Sequence, residues 1–373
     1  MKILFTILTL RGGGAEGALV NLANNLSKHG HDITVMSLFK TGVNIDKLDS
    51  NVKYQYIFRK YIPGNKFLFR ILPPKVLYRM MIKQKYDVAM SYLQGVVSRI
   101  IAGAPSEQVI VARIGCTFSR NYDSSHAYRS RNEMHRCYAK YNKIVANSED
   151  ALKAFSDVTG ITDNLCVLYN VFDTKMINEK SNENADFIRD RKTINFITVG
   201  TLSLVKGYQR LLECFKKLSD EGFSFNFYII GAGPDYDKLK AYVDSYLKNK
   251  VFFLGFQKNP YKYVRQADMY ICSSFDEGFS NAVAEAVILG VPVITTNCAG
   301  MREIVGNNEE GGFIVENSND GLYSGLKQVL EHPEIINEYK KNIVKRQEFF
   351  NTENGIKMTE DFFNSLIKNH KLQ

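Results

Sequence analysis

The sequence lacks several features that would point to a membrane-spanning or secreted protein. None of its 373 residues belong to a run of about 18 uncharged apolar residues, so no segment is predicted to span a bilayer. The six cysteines are scattered without paired spacing, which suggests neither a zinc site nor a disulfide framework and fits a reducing cytosol. The apolar run at residues 3–10 ends in Arg11 and glycines, so we interpret it as a buried strand rather than a signal peptide.

Acidic residues are absent from one long stretch of the basic first half. Through residue 175 the chain has 24 Lys and Arg against 13 Asp and Glu, a net of +11. The remainder has 24 against 26, a net of −2, and the two parts give the +9 of the whole chain. Residues 53–85 combine the basic side chains with interleaved aromatics. The basic residues are Lys53, Arg59, Lys60, Lys66, Arg70, Lys75, Arg79, Lys83 and Lys85.

Three partners or environments suit this basic-aromatic segment. An anionic membrane surface would accept the cations at its headgroups and the aromatics at its interface. A solvated surface over a core helix is the simpler alternative, and nucleic acid is the third. We favour the membrane and expect no nucleic-acid partner. The chain is therefore predicted to be cytoplasmic, with a peripheral position at the inner face of the membrane.

Short apolar strands alternate with helical segments along most of the chain, which predicts an α/β fold with mostly parallel sheets. The length favours two domains. The polar, Asn- and Lys-rich stretch at 174–192 is interpreted as a linker. We accordingly expect a first domain at 1–173, a second at 193–345, and a helical tail at 346–373 that packs back on the first domain.

The first glycine-rich turn follows the first strand. Gly12, Gly14 and Gly17 match the spacing of a dinucleotide-binding motif. The second strand ends MSLFKTG, without the acidic residue that would hold a ribose, so a dehydrogenase is not supported. The turn still allows an anion to approach the backbone at a helix start. A tight turn without any ligand is the alternative.

Two further strand–loop–helix junctions carry charged residues. Lys206 follows a strand and the Gly200-Thr201 turn, at the edge where open α/β sheets bind ligands. Glu277 lies on a later loop, and Glu285 lies one turn into the helix that follows it. Gly278 permits close approach, and the backbone N–H groups of residues 279–281 open the helix as an anion site.

These motifs resemble the retaining glycosyltransferases of family 4, over essentially the whole chain. The E-x7-E motif is present as EGFSNAVAE, and GGAE at 13–16 resembles the family's N-terminal glycine loop. The segment NVFD at 170–173 resembles its N-P-x-D segment, with valine in place of proline. IIGAGPDYDKL resembles its G-x-G-P turn, and AEAVILGVPVITTNCAGMREIV resembles its C-terminal signature.

The resemblance implies two Rossmann-like domains facing each other across a cleft (GT-B). It implies metal-independent transfer of a hexosyl unit from a nucleotide-diphosphate sugar, such as a UDP-sugar, to a sugar or lipid-linked acceptor in bacterial polysaccharide or glycolipid synthesis. No cofactor or metal is expected. Lys206 and Glu277 are the predicted catalytic residues: Lys206 would bind the diphosphate, and Glu277 would contact the transferred sugar. Glu285 would hold the ribose. The other predicted donor-binding residues are Gly13, Gly14, Gly200, Thr201, Gly231, Gly233, Gly278, Phe279, Ser280 and Asn281.

Three departures from the family pattern accompany the resemblance. Thr201 stands where an arginine is usual, and Cys116 or Thr117 stands near the place of an acceptor-side histidine. Residues 235–237 imitate a D-x-D metal motif, but they follow Gly-Pro at a helix start, where Asp is a normal cap. A sugar-nucleotide-binding protein with weak or no transferase activity is the alternative, and an epimerase is disfavoured by the intact E-x7-E.

Overall fold

The computed structural model describes residues 1–60, 69–115, 127–185 and 192–372. They form two compact units. The first contains Met1–Asp173 together with Thr352–Gln373, and the second contains Thr174–Asn351. Each unit has a parallel sheet with helices packed against it, so the predicted α/β class is confirmed.

The first unit is built on a seven-stranded parallel sheet of order β3-β2-β1-β4-β5-β6-β7. Its strands are β1 (Lys2–Ile7), β2 (Asp32–Phe39), β3 (Lys53–Phe58), β4 (Val88–Tyr92), β5 (Val109–Ile114), β6 (Lys143–Ala146) and β7 (Leu165–Val167). Its helices are α1 (Gly14–Lys28), α2 (Pro74–Met81), α3 (Val96–Ile101), α4 (Arg131–Tyr138), α5 (Glu149–Thr159) and, from the C-terminus, α14 (Thr352–Lys371).

The second unit is built on a six-stranded parallel sheet of order β10-β9-β8-β11-β12-β13. Its strands are β8 (Ile194–Val199), β9 (Phe225–Ile230), β10 (Val251–Gly255), β11 (Met269–Cys272), β12 (Val293–Thr296) and β13 (Gly312–Val315). Its helices are α6 (Thr174–Ser181), α7 (Tyr208–Asp220), α8 (Tyr236–Tyr246), α9 (Tyr261–Val264), α10 (Asn281–Ile288), α11 (Met301–Val305), α12 (Asn319–Glu331) and α13 (Glu334–Phe349).

The strand order of each sheet reverses at one place. In the first sheet the reversal falls between β1 and β4, and in the second it falls between β8 and β11. Open α/β sheets bind ligands at the carboxyl ends of the strands that flank such a reversal. Gly13 follows β1, whereas Lys206 follows β8 and Glu277 follows β11, so these predicted residues come from the strands beside the two reversals.

The predicted linker at 174–192 is wrong over residues 174–181, and the predicted start of the tail at 346 is also wrong. Residues 186–191 of the predicted linker lie outside the described residues. Residues 174–181 form α6, which buries Ile177 and packs against α9, where Arg265 donates to the Ser181 hydroxyl at 2.8 Å. The chain stays with the second unit beyond 346 because Gln347 of α13 donates to the Ile288 carbonyl at 2.7 Å. It enters the first unit at Thr352. The polar composition of this segment made it resemble a linker, although Ile177 in α6 is buried.

The basic-aromatic segment at 53–85 does not form a single surface element. Residues 53–58 are β3, an edge strand paired with β2. Residues 74–81 form α2, and residues 61–68 lie outside the described residues. In the described part of the chain, no helix has the length and hydropathy needed to cross a bilayer.

Candidate functional site

The side chains of Lys206 and Glu277 meet at the carboxyl edge of the second sheet. Lys206 ends the short 3₁₀ turn Leu204–Lys206 after β8, and its Nζ lies 2.6 Å from Oε1 of Glu277 on the loop after β11. The Ser274 hydroxyl donates to the same carboxylate oxygen at 2.7 Å. The Glu277 side chain is only 10% exposed and that of Lys206 is 29% exposed. A charged pair is therefore held half-buried where the fold leads one to expect a ligand.

Backbone contacts fasten the two loops to each other. Gly207 has φ of +67°, and a Cβ there would lie 2.0 Å from the carbonyl oxygen of Ser273. The Ser273 hydroxyl donates to the Lys206 carbonyl at 2.9 Å, and the Phe275 N–H donates to the Val205 carbonyl at 2.8 Å. Only glycine allows this approach at 207. The lysine is thus placed by its neighbours on both sides.

The Ser274 carbonyl oxygen is the centre of a hydrogen-bond network that the sequence analysis missed. It accepts from Arg210 Nη2 and from the Thr296 hydroxyl, each at 2.7 Å, and from the Cys298 thiol at 3.1 Å. Burial raises the pKa of the Cys298 thiol to about 11, so the thiol stays neutral and can donate near pH 7. The network ties the Glu277 loop to α7 and to the end of β12.

The spacing of residues on α7 is the one sequence signal for Arg210. It precedes Cys214 by four residues and Leu218 by eight, which places the three on one face of the helix, and the structure buries all three. A residue on that helical stripe faces the core. A charged residue at such a position needs polar partners, whose identity the sequence does not reveal.

Glu285 lies on α10, as expected, while Glu277 lies on the loop before it. The Tyr261 hydroxyl of α9 donates to Glu285 Oε1 at 3.2 Å. Phe279 and Ser280 are buried, and α10 begins at Asn281. The helix start favours an anion because its dipole directs positive partial charge there.

The loop after β12 packs closely against the backbone that precedes α10. Gly300 has φ of +76°, and a Cβ there would lie 2.8 Å from the Gly278 carbonyl oxygen. The close approach fixes the backbone of Gly278, which precedes the buried Phe279. The donor-binding roles of these residues and of Glu285 stay predictions.

The fold itself accounts for Gly231 and Gly233, while a Cβ at Gly200 would lie 2.9 Å from the Tyr208 hydroxyl. A Cβ at Gly231, whose φ is +145°, would lie 1.9 Å from the Gly200 carbonyl oxygen, and one at Gly233 would lie 2.2 Å from that of Leu202. Backbone approach between the loops after β8 and β9 thus requires glycine with no ligand involved. Thr201 is exposed and contributes no charge to the edge.

Gly13 and Gly14 belong to the first unit, whereas the other predicted site residues belong to the second. Gly13 precedes α1 as its N-cap and makes no side-chain cap. The Glu16 carboxylate lies close by, because a Cβ at Gly13 would fall 2.3 Å from its Oε2. Burial raises the pKa of Glu16. An acidic side chain therefore already lies at this helix start.

Two of the three departures from the family pattern concern the missing acceptor-side histidine and the D-x-D motif. Cys116 and Thr117 lie outside the described residues. Residues 235–237 open α8, with Asp235 at the N-cap position and Asp237 in the first turn. Within residues 1–60, 69–115, 127–185 and 192–372, no three His, Cys, Asp or Glu side chains come together as a metal site would require.

Two units, each built on a parallel sheet with helices packed against it, are the architecture of the GT-B class of proteins. Two family models match successive parts of the chain: Glycosyltransferase Family 4 over residues 12–176 and Glycosyl transferases group 1 over residues 179–346. The chain belongs to the group 1 / family 4 glycosyltransferases, which confirms the family inferred from the sequence motifs.

Known proteins agree with that assignment. The chain is 29% identical over 62% of its length to the N-acetylgalactosamine-N,N'-diacetylbacillosaminyl-diphospho-undecaprenol 4-alpha-N-acetylgalactosaminyltransferase of Campylobacter jejuni, of which it covers 61%. It is 26% identical over 52% of its length to the lipopolysaccharide 1,6-galactosyltransferase of Salmonella typhimurium, of which it covers 53%. The chain thus spans between half and two thirds of these curated relatives.

The fold resembles that of Anabaena HepE, solved in complex with UDP and glucose. The TM-score is 0.75, with 18% identity, and the match covers 98% of this chain and 100% of HepE. The likeness supports the fold class.

Proposed function

We propose that this chain is a retaining glycosyltransferase that moves a hexosyl unit from a nucleotide-diphosphate sugar to an acceptor hydroxyl without a metal ion. The observation that carries the proposal is the Lys206–Glu277 pair, held at 2.6 Å between the ends of two neighbouring strands. Family membership and the UDP bound in the solved HepE structure support the choice of donor.

The chemistry requires stabilisation of a leaving nucleotide diphosphate. As the bond from the anomeric carbon to the phosphate oxygen breaks, negative charge grows on the β-phosphate. Lys206 and the N–H groups at the start of α10 are preorganised donors for that charge, so they stabilise the transition state more than the ground state. Glu277 holds the Lys206 ammonium in place and would contact the transferred sugar. We assign no covalent nucleophile.

A transfer assay with separate nucleotide-sugar donors and lipid-linked or sugar acceptors tests this proposal. The expected result is a glycosylated acceptor whose new linkage keeps the anomeric configuration, as read by NMR. Activity should survive EDTA, since Lys206 supplies the charge that a metal would otherwise supply. Loss of activity on chelation with recovery on adding manganese or magnesium would contradict metal independence. Donor binding without transfer or hydrolysis would favour a sugar-nucleotide-binding protein.

For the acceptor we propose a lipid-linked sugar of a bacterial polysaccharide or glycolipid pathway, presented at the cytoplasmic face of the membrane. The names of the Campylobacter and Salmonella relatives describe a diphospho-undecaprenol substrate and a lipopolysaccharide substrate. An acceptor of this kind lies at a membrane surface, so the enzyme needs a surface that reaches it.

Helix α2 has the composition of such a surface. Val76 and Met80 lie four residues apart and are 40% and 54% exposed, while Leu77 and Tyr78 are buried against the first unit. Lys75 and Arg79 stand on the same helix, and Lys83 follows it. Apolar side chains flanked by cations suit the boundary of an anionic bilayer, where each cation contributes about 1 kcal/mol.

Co-sedimentation with vesicles tests the α2 surface. The parent should bind vesicles containing anionic lipid, weaken with salt, and bind neutral vesicles poorly. Met80→Glu should reduce binding several-fold, because it places a carboxylate among the headgroups. Met358→Glu on α14 is the matched control, since Met358 is 59% exposed. Equal binding of the two variants, or negligible binding of the parent, would contradict the membrane proposal and favour a soluble acceptor.

A further inference from the structure

Arg210 is a buried cation directly beneath the loops that hold Lys206 and Glu277. Its exposed fraction is 4%. Nε and Nη2 donate to the Ser273 carbonyl oxygen at 3.0 and 2.6 Å, and Nη2 also donates to that of Ser274 at 2.7 Å. The guanidinium lies 3.7 Å from the centre of the Phe275 ring. One side chain therefore contacts three consecutive residues of the loop.

These contacts reach both members of the charged pair. Ser273 donates its hydroxyl to the Lys206 carbonyl, and Ser274 donates its hydroxyl to the Glu277 carboxylate. Asn317 completes the arrangement, because its Oδ1 accepts from Arg210 at 2.8 Å while its Nδ2 donates to the Phe275 carbonyl at 3.0 Å. Removal of the guanidinium would leave the Ser273 carbonyl without these two buried donors.

The positive charge of Arg210 is not cancelled locally. Its hydrogen-bond acceptors are two carbonyls and an amide, and in the described part of the chain it forms no ion pair with a carboxylate. The neighbouring thiols do not neutralise it, since burial raises the pKa of Cys298 to about 11. Arginine remains protonated near neutral pH. Lys206, in contrast, is already paired with Glu277.

We propose that Arg210 is a positioning residue of the donor site, which sets the Ser273–Ser274 backbone so that Lys206 and Glu277 meet and adds a buried positive charge beneath the diphosphate. The inference rests on the proposed donor. A charge in a poorly hydrated setting acts over a longer range than one in water. Its contribution should therefore appear in the affinity for the diphosphate and not in the affinity for the nucleoside.

Arg210→Met and Arg210→Lys separate charge from geometry in the full-length protein. The parent is first titrated with UDP, GDP, ADP and dTDP, and the variants are then titrated with the preferred diphosphate by calorimetry and with its nucleoside by NMR. Arg210→Met should lose roughly tenfold or more in affinity for the diphosphate, with little change for the nucleoside. Arg210→Lys should recover much of that loss. Lys216→Met, which removes a partly exposed cation from the same helix, should bind both ligands like the parent.

Each contrary outcome has a distinct meaning. Unchanged diphosphate affinity in Arg210→Met, or equal losses for diphosphate and nucleoside, would overturn the inference. Arg210→Lys binding as weakly as Arg210→Met would overturn the role of the charge. A parent that binds no nucleoside diphosphate would contradict the proposed donor itself. A crystal structure of Arg210→Met tests positioning independently of any ligand: a Lys206 Nζ to Glu277 Oε1 distance still near the parent's 2.6 Å would overturn that role.

Discussion

The glycine-rich turns of the two units look alike in sequence but have different surroundings. In the second unit a Cβ at Gly231 would fall 1.9 Å from the Gly200 carbonyl oxygen, a backbone atom with no room to move. In the first unit a Cβ at Gly13 would meet the end of the Glu16 side chain, which is flexible. The fold alone therefore requires Gly231, whereas the neighbour of Gly13 is a side chain that can move, and its donor-binding role stays a prediction. A glycine motif identifies a close approach but not the partner in that approach.

Buried arginines give the same contrast. Arg99 in the first unit is fully buried and donates to the Glu133 carboxylate at 2.7 Å, so its charge is neutralised. Arg210 in the second unit donates only to carbonyl and amide oxygens. The first arrangement stabilises a domain core, and the second leaves positive charge beside a predicted anion site. On this comparison we expect the second unit to bind the donor.

The largest expected effect sharpens that conclusion. Lys206→Ala should lower turnover by about 10²–10³-fold while the fold is retained, because it removes the preorganised charge partner of the leaving group. Steady-state rates and the circular dichroism spectrum provide the measurement. Arg129→Ala, an exposed cation of the first unit, serves as the control. Near-normal turnover in Lys206→Ala would remove this lysine from the reaction.

The two glutamates should separate binding from turnover. Glu285→Ala should weaken donor binding by roughly tenfold, since a lost hydrogen bond to a charged group costs about 1.5–3 kcal/mol. Glu277→Ala should mainly lower kcat, because it leaves Lys206 unfastened and removes the contact with the transferred sugar. Donor titration and initial rates distinguish the two patterns. Parent-like behaviour of both variants would show that the E-x7-E carboxylates do not form the donor site.

Effects on stability rather than on activity test the comparison of the two glycines directly. Gly231→Ala should destabilise the protein by about 2 kcal/mol or more, because alanine tolerates neither the positive φ nor the clash with a backbone oxygen. The free energy of unfolding of Gly13→Ala should lie within about 0.5 kcal/mol of the parent's, because only a flexible carboxylate has to move. The variant should nevertheless transfer sugar more slowly. Chemical denaturation and initial rates measure these quantities. A reversed order of stabilities would refute the distinction between the two turns.

The sequence was informative wherever a local pattern has a local cause. Alternating strand and helix signals predicted the α/β class with mostly parallel sheets, and the placement of Glu277 on a loop and Glu285 on a helix agreed with the structure. Prediction from the sequence failed where the conformation of a segment depends on residues far away in the chain. The edge strand β3 reads as a basic-aromatic surface until its pairing with β2 is known. Helix α6 reads as a polar linker until Ile177 is seen to be buried.

The sequence by itself determined the family, the α/β class and the chemical types of residue at the predicted donor site, because these depend on residue identities at fixed short spacings. Only the tertiary structure decided which side chains meet. Lys206 and Glu277 are 71 positions apart, and Arg210 reaches Ser273 over 63. Such contacts arise from the order of strands in the sheet, which places β8 beside β11. Hydrophobic periodicity does not predict that order, since every buried parallel strand has the same apolar pattern.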